Sequence, residues 1–502
     1  MKKFLDRYFH ISEKGSTIAR EILAGVIVFF AMIYILPVNQ SILGNMGPID
    51  GVGIDPNGVF AATAIASAIS TIIMGVVAKY PVMLSAGMGM NAYIAFTVCG
   101  TLGYTWVEAL ALLFITGVLF LIITLTPIRT WIINAIPQDI KYIISAGLGC
   151  FIAFVGLKMS GLIKADVGTL VSMGDLQNPV VLLSLFGILL VFALLMIPNK
   201  KIKQLAIVIA MLATALVGFI LGLCGVENMP TFVDMSQSSS WLGAFKGLGN
   251  VFGKCFDGNA FVKVLSSPSS YAIIFSLIFV NMFDTTATLV AVGKDAGILD
   301  NDGQLIGGKK AMLADAVGAV ICAPLGTSTV TSFAESTVAT ESGARTGLSA
   351  TVTGFMFLIS LVIYPIFSIF SAINVDGAFL TPVTSMALVA VGAMMFTGNL
   401  KSIKWDDKII GFTAFLCVVM MMLTYSISNG LGFALIAYCI MMLVAKRGKE
   451  INIVLYIVAG LFAVNFAVTA IMNVVTSSGQ SVDLLTTIIK LKDLVPVNNF
   501  NY

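Results

Sequence analysis

Charge is scarce in this 502-residue chain: Asp, Glu, Lys and Arg make up 11% of it, and a single histidine, His10, stands near the start. With 58% hydrophobic residues and a mean hydropathy of +1.00, the composition excludes a water-soluble domain of this size. The lone histidine precedes every apolar segment, so histidine is excluded as a proton carrier within a membrane. HExxH and CxxC spacings are both absent, and no paired metal-ligand cluster is visible. Neither a metal nor another cofactor is expected, nor an enzyme. The seven cysteines lie mostly in apolar stretches, where they read as small core residues. A net charge of +3 gives no reason to expect a nucleic-acid partner.

What the chain has instead is apolar length. A helix that crosses a bilayer needs about 20 mostly apolar residues. Such stretches recur from Glu21 to Ile471, and they predict an all-α integral membrane protein with about fourteen transmembrane segments. Half of these lie in residues 21–223 and half in 271–446, separated by a polar linker over 224–270. A basic arm over 1–20 precedes them, and a segment over 447–502 follows. That last segment holds a further apolar stretch, Ile451 to Asn473, which either spans the membrane or lies against it. An odd number of spans per half makes the second half enter the membrane with opposite orientation, the plan of two inverted repeats.

Lys and Arg near span ends set the orientation. With the N-terminal arm inside, basic residues fall in alternate loops: Arg129 and Lys141, then Lys200, Lys201 and Lys203, then Lys309 and Lys310, then Lys401, Lys404 and Lys408. The loop from Ser41 to Gly58, on the other side, has two aspartates and no Lys or Arg. A multi-pass protein of the cell membrane with a cytoplasmic N-terminus and an extracytoplasmic linker is expected. The arm leads into its span without a small-residue cleavage site, so it reads as a retained start.

The third span of each half is anomalous. Tyr80 to Thr97 reads YPVMLSAGMGMNAYIAFT and Ala323 to Ala339 reads APLGTSTVTSFAESTVA; both are short, start near proline and are rich in Gly, Ser or Thr. Backbone leaves helical geometry at membrane depth only where protein or a polar cavity satisfies it. Matching interruptions in the third and tenth spans therefore predict a central binding site.

Ionisable groups inside spans each need a reason, since insertion costs roughly 2.5 to 3.5 kcal/mol at a helix centre. Asp284 lies within the eighth span, and Glu335 follows the second interruption, where the first N–H groups of a half-helix would favour negative charge. Asn91 takes the corresponding place in the first half, with an amide that both donates and accepts. Glu21, Glu108, Asp315 and Glu341 lie nearer span ends, where water or a basic partner is at hand. Gly87, Gly89 and Ala92 match a dinucleotide-binding spacing, and GQLIGGKK (303–310) nearly matches a phosphate loop, but neither has the surrounding domain it needs. Transport driven by an ion gradient is the reading these residues support.

The segments NMFDTTATLVAVGKDAGILD, GTSTVTSFAEST, SGARTGLSA and MLSAGMGMNAYIAFT closely resemble the AzgA-like hypoxanthine, guanine and adenine permeases of the nucleobase–ascorbate transporter superfamily. The resemblance covers nearly the whole chain. It implies a core domain of spans one to four and eight to eleven, a gate domain of the rest, and a homodimer. It also implies that each broken span contains a strand followed by a half-helix. By position it makes Asp284, Glu335 and Asn91 substrate-binding, with Gly89 and Ala334 adding backbone contacts. A purine nucleobase is the implied cargo, with a proton, or else sodium, as the coupling ion. Burial favours the neutral acid, so Glu335 and Asp284 are the proton-coupling candidates. Phe283 and Phe333, beside the two acids, read as packing residues.

Overall fold

The computed structural model describes residues 2–44, 53–127, 129, 131, 136–166, 168–231, 242–298, 305–375 and 378–477. Parts of the Ser41 to Gly58 loop, of the 224–270 linker and of the C-terminal segment, the first residues of GQLIGGKK and the side chain of Phe283 lie outside them.

The described chain is mostly helical. Seven of its helices are long and apolar enough to cross a membrane, and counting two bent pairs as single spans brings the total to nine. Three shorter apolar helices accompany them: Ser385–Leu400, Lys408–Leu423 and Ile453–Ala467 of the last helix. Prolines account for two breaks. Pro37 cannot donate to the carbonyl four residues back, and the first span divides there into Ile18–Met32 and Ile35–Gly44. Pro365 stands at the start of Tyr364–Phe370, which departs from Gly347–Val362 by 84°. What reads in sequence as one span from Leu348 to Ser371 is thus bent.

Packing divides the helices into two sets. In the first, Gly347–Val362 lies against Pro56–Ile73 and Ile18–Met32, and Gly308–Leu325 lies against Trp106–Leu125. In the second, Gln138–Met159 lies against Ser385–Leu400 and Lys408–Leu423, which in turn packs on Ile427–Val444. Glycine sets the closeness in both. A methyl at Gly347 would lie 1.9 Å from the Gly75 carbonyl oxygen, and one at Gly392 2.5 Å from that of Gly149. Lipid tails are as apolar as these helices, so close van der Waals contact across small residues is what holds such pairs together.

The linker is more structured than its polar composition suggests. It forms the helices Gly243–Val251 and Gly258–Ser266, and the first packs on Pro56–Ile73 where Gly58 meets Gly247. The last helix, Ile453–Ser477, packs on Ile427–Val444 and on the long helix Pro268–Ala296, with the Phe275 and Phe462 rings 5.1 Å apart.

Candidate functional site

Both interruptions begin where a helix ends on a left-handed residue, Lys79 (φ 60°) in the first half and Gly326 (φ 95°) in the second. Each left-handed turn closes on carbonyls of its own helix and turns the chain out of the helical path. A three-residue strand follows in each half, Leu84–Ala86 and Val330–Ser332, and the two pair antiparallel. Gly87 N–H donates to the Thr329 carbonyl at 3.0 Å beyond one end of the ladder, and Phe333 N–H to the Met83 carbonyl at 3.0 Å beyond the other. The outer edges are met by side chains. The Thr71 hydroxyl donates to the Leu84 carbonyl at 2.9 Å and accepts from its N–H at 3.0 Å, and Ser336 Oγ accepts from Met83 N–H at 2.9 Å. Non-helical backbone is thereby kept hydrogen-bonded where no bulk water is available.

After the strands come the short helices Met88–Ala92 and Ser336–Glu341. Glu335 stands at the N-terminus of the second, and its side chain makes no capping hydrogen bond. Its Oε1 instead accepts from the Tyr34 hydroxyl at 2.5 Å. Asp284 projects from the middle of the unbroken helix Pro268–Ala296. Asp284, Glu335, Gly89 and Ala334 all line one cavity of about 660 Å3, which Leu148 and Met395 of the second helix set also line. That volume lies within the range of small-molecule sites, roughly 300 to 1,000 Å3. Phe333, 6% exposed, also borders it.

Asn91 is placed differently. It is fully buried, its Nδ2 donates to Asn39 Oδ1 at 2.5 Å, and its Oδ1 accepts from the Ser328 hydroxyl. Asn39 in turn donates to the hydroxyls of Thr63 at 2.8 Å and Thr327 at 3.0 Å. The amide that sequence reading offers to a ligand is here engaged by both halves of the protein.

Three polar groups escaped sequence reading. Tyr34 looks like one aromatic among many in an apolar span. Asp315 reads as a span-end carboxylate, yet it is wholly buried, accepts from Thr285 Oγ1 at 2.9 and 3.0 Å, and faces Arg129 Nη2 at 3.8 Å. Arg129 reads as a loop charge, yet it is 1% exposed, donates to the Met312 carbonyl at 3.3 Å and lies over the Phe120 ring. Asp315 and Glu108 each meet a basic side chain as expected, Glu108 with Lys263 Nζ at 2.8 Å, whereas Glu21 is fully buried and its Oε1 accepts from the backbone N–H of Arg345 at 2.7 Å.

Comparison with known proteins assigns this architecture. The model of the permease family matches residues 19–433. The chain belongs to that family. It is 39% identical to a putative permease of Methanocaldococcus jannaschii, over 92% of this chain and 98% of the relative. It is 37% identical to a guanine/hypoxanthine permease of Bacillus subtilis, over 90% and 98%. An adenine permease of Escherichia coli is 34% identical over 91% and 95%. Among solved structures, the transmembrane domain of a cyanobacterial bicarbonate transporter matches with a TM-score of 0.53 at 14% identity, over 83% of this chain and 96% of that one. SLC26A9 matches at 0.51 and 10%, over 89% and 69%. At such identities the match shows the fold alone, that of a membrane transporter. This permease is a multi-pass membrane transporter and not an enzyme, and its resemblance to the AzgA-like permeases, read from four motifs, stands.

Proposed function

We propose that this permease imports purine nucleobases (hypoxanthine, guanine or adenine) across the cell membrane by proton symport. The observation that carries the reading is that two carboxylates from different elements, Asp284 and Glu335, face one cavity beside the paired interruptions. A neutral purine offers ring N–H donors, which carboxylates accept, and ring nitrogen or carbonyl acceptors, which backbone N–H groups near Gly89 and Ala334 can meet. An analogue that lacks one of these groups would leave a buried partner unpaired, which supplies selectivity. The relatives named as guanine/hypoxanthine and adenine permeases support this cargo. Asn91, with its amide held by Asn39 and Ser328, serves the substrate by keeping the two interruptions in register.

In the same reading the chain has fourteen spans in two inverted repeats, 21–223 and 271–446, joined by an extracytoplasmic linker over 224–270. The two packing sets act as core and gate, and the transporter is a homodimer with a cytoplasmic N-terminus. The cavity wall includes Lys203 and Asn399, next to connections read as cytoplasmic, which supports an inward-facing state. A proton bound by Glu335 or Asp284 outside and released inside couples cargo to the gradient, because burial as the core moves against the gate favours the neutral acid.

The test is uptake of radiolabelled hypoxanthine into proteoliposomes under an imposed inward proton gradient, with adenine, guanine, uracil and sulfate as competitors. Saturable, gradient-driven uptake blocked by purines is expected. Uptake that follows a sodium gradient instead would reassign the ion, and block by sulfate but not purines would reassign the cargo. Asp284→Ala should weaken purine binding, and Glu335→Gln should abolish pH-dependent accumulation.

A further inference from the structure

Tyr34 is fully buried, and its hydroxyl reaches Glu335 across 301 positions of sequence. Local chain chemistry puts it there. Pro37 has no N–H for the Ile33 carbonyl, the helix breaks at residues 33 and 34, and the next turn restarts with Val38 N–H on the Tyr34 carbonyl at 3.1 Å. Tyr34 therefore sits at the discontinuity of the first span, opposite the discontinuity of the tenth. Five residues on, Asn39 ties the same broken helix to Asn91 and Thr327. One segment thus holds both interruptions, and it offers its single phenol to the cavity acid.

We infer that Tyr34 is a positioning residue for transport: its hydroxyl occupies Oε1 of Glu335, turns Oε2 toward the cargo, and sets how tightly Glu335 holds the coupling proton. The inference rests on the reading of Glu335 as a coupling acid. The Tyr34 hydroxyl donates to Oε1 and so fixes the plane of the carboxyl group that takes the proton. With Oε1 taken, an incoming proton binds Oε2, and the carboxyl then donates where the carboxylate accepted. Other groups share the surroundings. Asp284 faces the same cavity from Pro268–Ala296, with Asp315 behind it through Thr285 and Thr331. Lys203 and Glu341 stand on the cavity wall, Glu341 taking a hydrogen bond from Gln204 at 2.7 Å. Glu21, at the start of the same broken helix, is engaged by the Arg345 N–H. Among the described residues, Tyr34 is the group that donates directly to Glu335 Oε1.

The test is Tyr34→Phe, which keeps the ring and removes the donor. Hypoxanthine uptake into proteoliposomes is measured across a pH series at a fixed gradient, with KM and kcat separated. The limb that reports protonation should move by about one pH unit, a roughly tenfold change in the hold on the proton. In Glu335→Gln, adding Tyr34→Phe should produce no further change, because the hydroxyl acts through the acid. Should Tyr34→Phe lack uptake, the pH dependence of hypoxanthine binding to the purified variant gives the same readout. An unmoved pH profile in Tyr34→Phe overturns the role of Tyr34. If Glu335→Gln keeps pH-dependent accumulation, the coupling reading itself fails, and the two failures are distinct.

Discussion

Ser85 lies opposite Thr331 at the middle of the antiparallel ladder that joins the two interrupted spans, flanked by Leu84 opposite Ser332 and Ala86 opposite Val330. Each interruption is therefore the hydrogen-bond partner of the other. The Ser85 hydroxyl reaches Ser67 at 2.7 Å on one side, and the Thr331 hydroxyl reaches Thr285 at 3.0 Å on the other, so the ladder is also fastened laterally to two helices.

That arrangement makes Thr71 more than a core residue. Its hydroxyl serves both the N–H and the carbonyl of Leu84. Thr71→Val keeps the shape and leaves two buried backbone groups unpaired, at about 1 to 3 kcal/mol for each such group. A clear fall in melting temperature in detergent is expected for Thr71→Val and little change for Thr71→Ser, read by thermal unfolding of the purified transporter.

Gly347 is in contact with the backbone of the neighbouring helix, so a methyl there meets a carbonyl that cannot rotate away. Gly347→Ala should separate the helices and destabilise the protein by about 1 to 3 kcal/mol. Gly249→Ala meets nothing within 4 Å and is the matched control. Equal thermal stability of the two variants would contradict the packing described.

Arg129 and Asp315 are both buried, at 3.8 Å. Removal of one partner leaves the other charge uncompensated, at about 3 to 5 kcal/mol. Arg129→Met should therefore lower stability and folded yield sharply, and Arg129→Met combined with Asp315→Asn should recover much of both. Size-exclusion profiles of the solubilised variants provide the comparison.

Gly89 sits where the first helix set meets the second, and a methyl at this position would fall 2.4 Å from Leu148 Cδ1. The leucine end can move, so Gly89→Ala should fold normally. If the two sets slide during transport, the added methyl should slow turnover several-fold. Restoration of the wild-type kcat in Gly89→Ala with Leu148→Ala would tie the effect to that contact.

Outside the apolar region, Arg447 donates to Asp407 at 2.7 Å and to Glu450 at 2.9 Å, joining the end of Ile427–Val444 to the start of Lys408–Leu423. Hydrogen bonds from Arg447 hold both carboxyls below their ordinary values of 3.8 and 4.5. Groups lowered on folding add stability above those values and lose it as pH falls through the lowered ones. A small stability loss confined to the acid side of about pH 4, absent in Arg447→Gln, is expected from melting curves across a pH series.

Much of this protein is legible in its sequence. Hydropathy alone places it in a bilayer, because apolar length of that kind has no other stable setting. The Gly, Ser and Thr of the two anomalous spans announce broken helices, and Asp284 and Glu335 stand out because a carboxyl in an apolar run is costly. What the sequence could not disclose is who meets whom. Periodicity describes one helix at a time, whereas Tyr34 with Glu335, Asn91 with Asn39 and Arg129 with Asp315 are pairs between segments far apart in the chain. Only the packing of the helices brings those segments together. It decides that Asn91 meets Asn39 and Ser328, that Asp315 is buried beside an arginine, and that the carboxylate of Glu335 is met by a phenol.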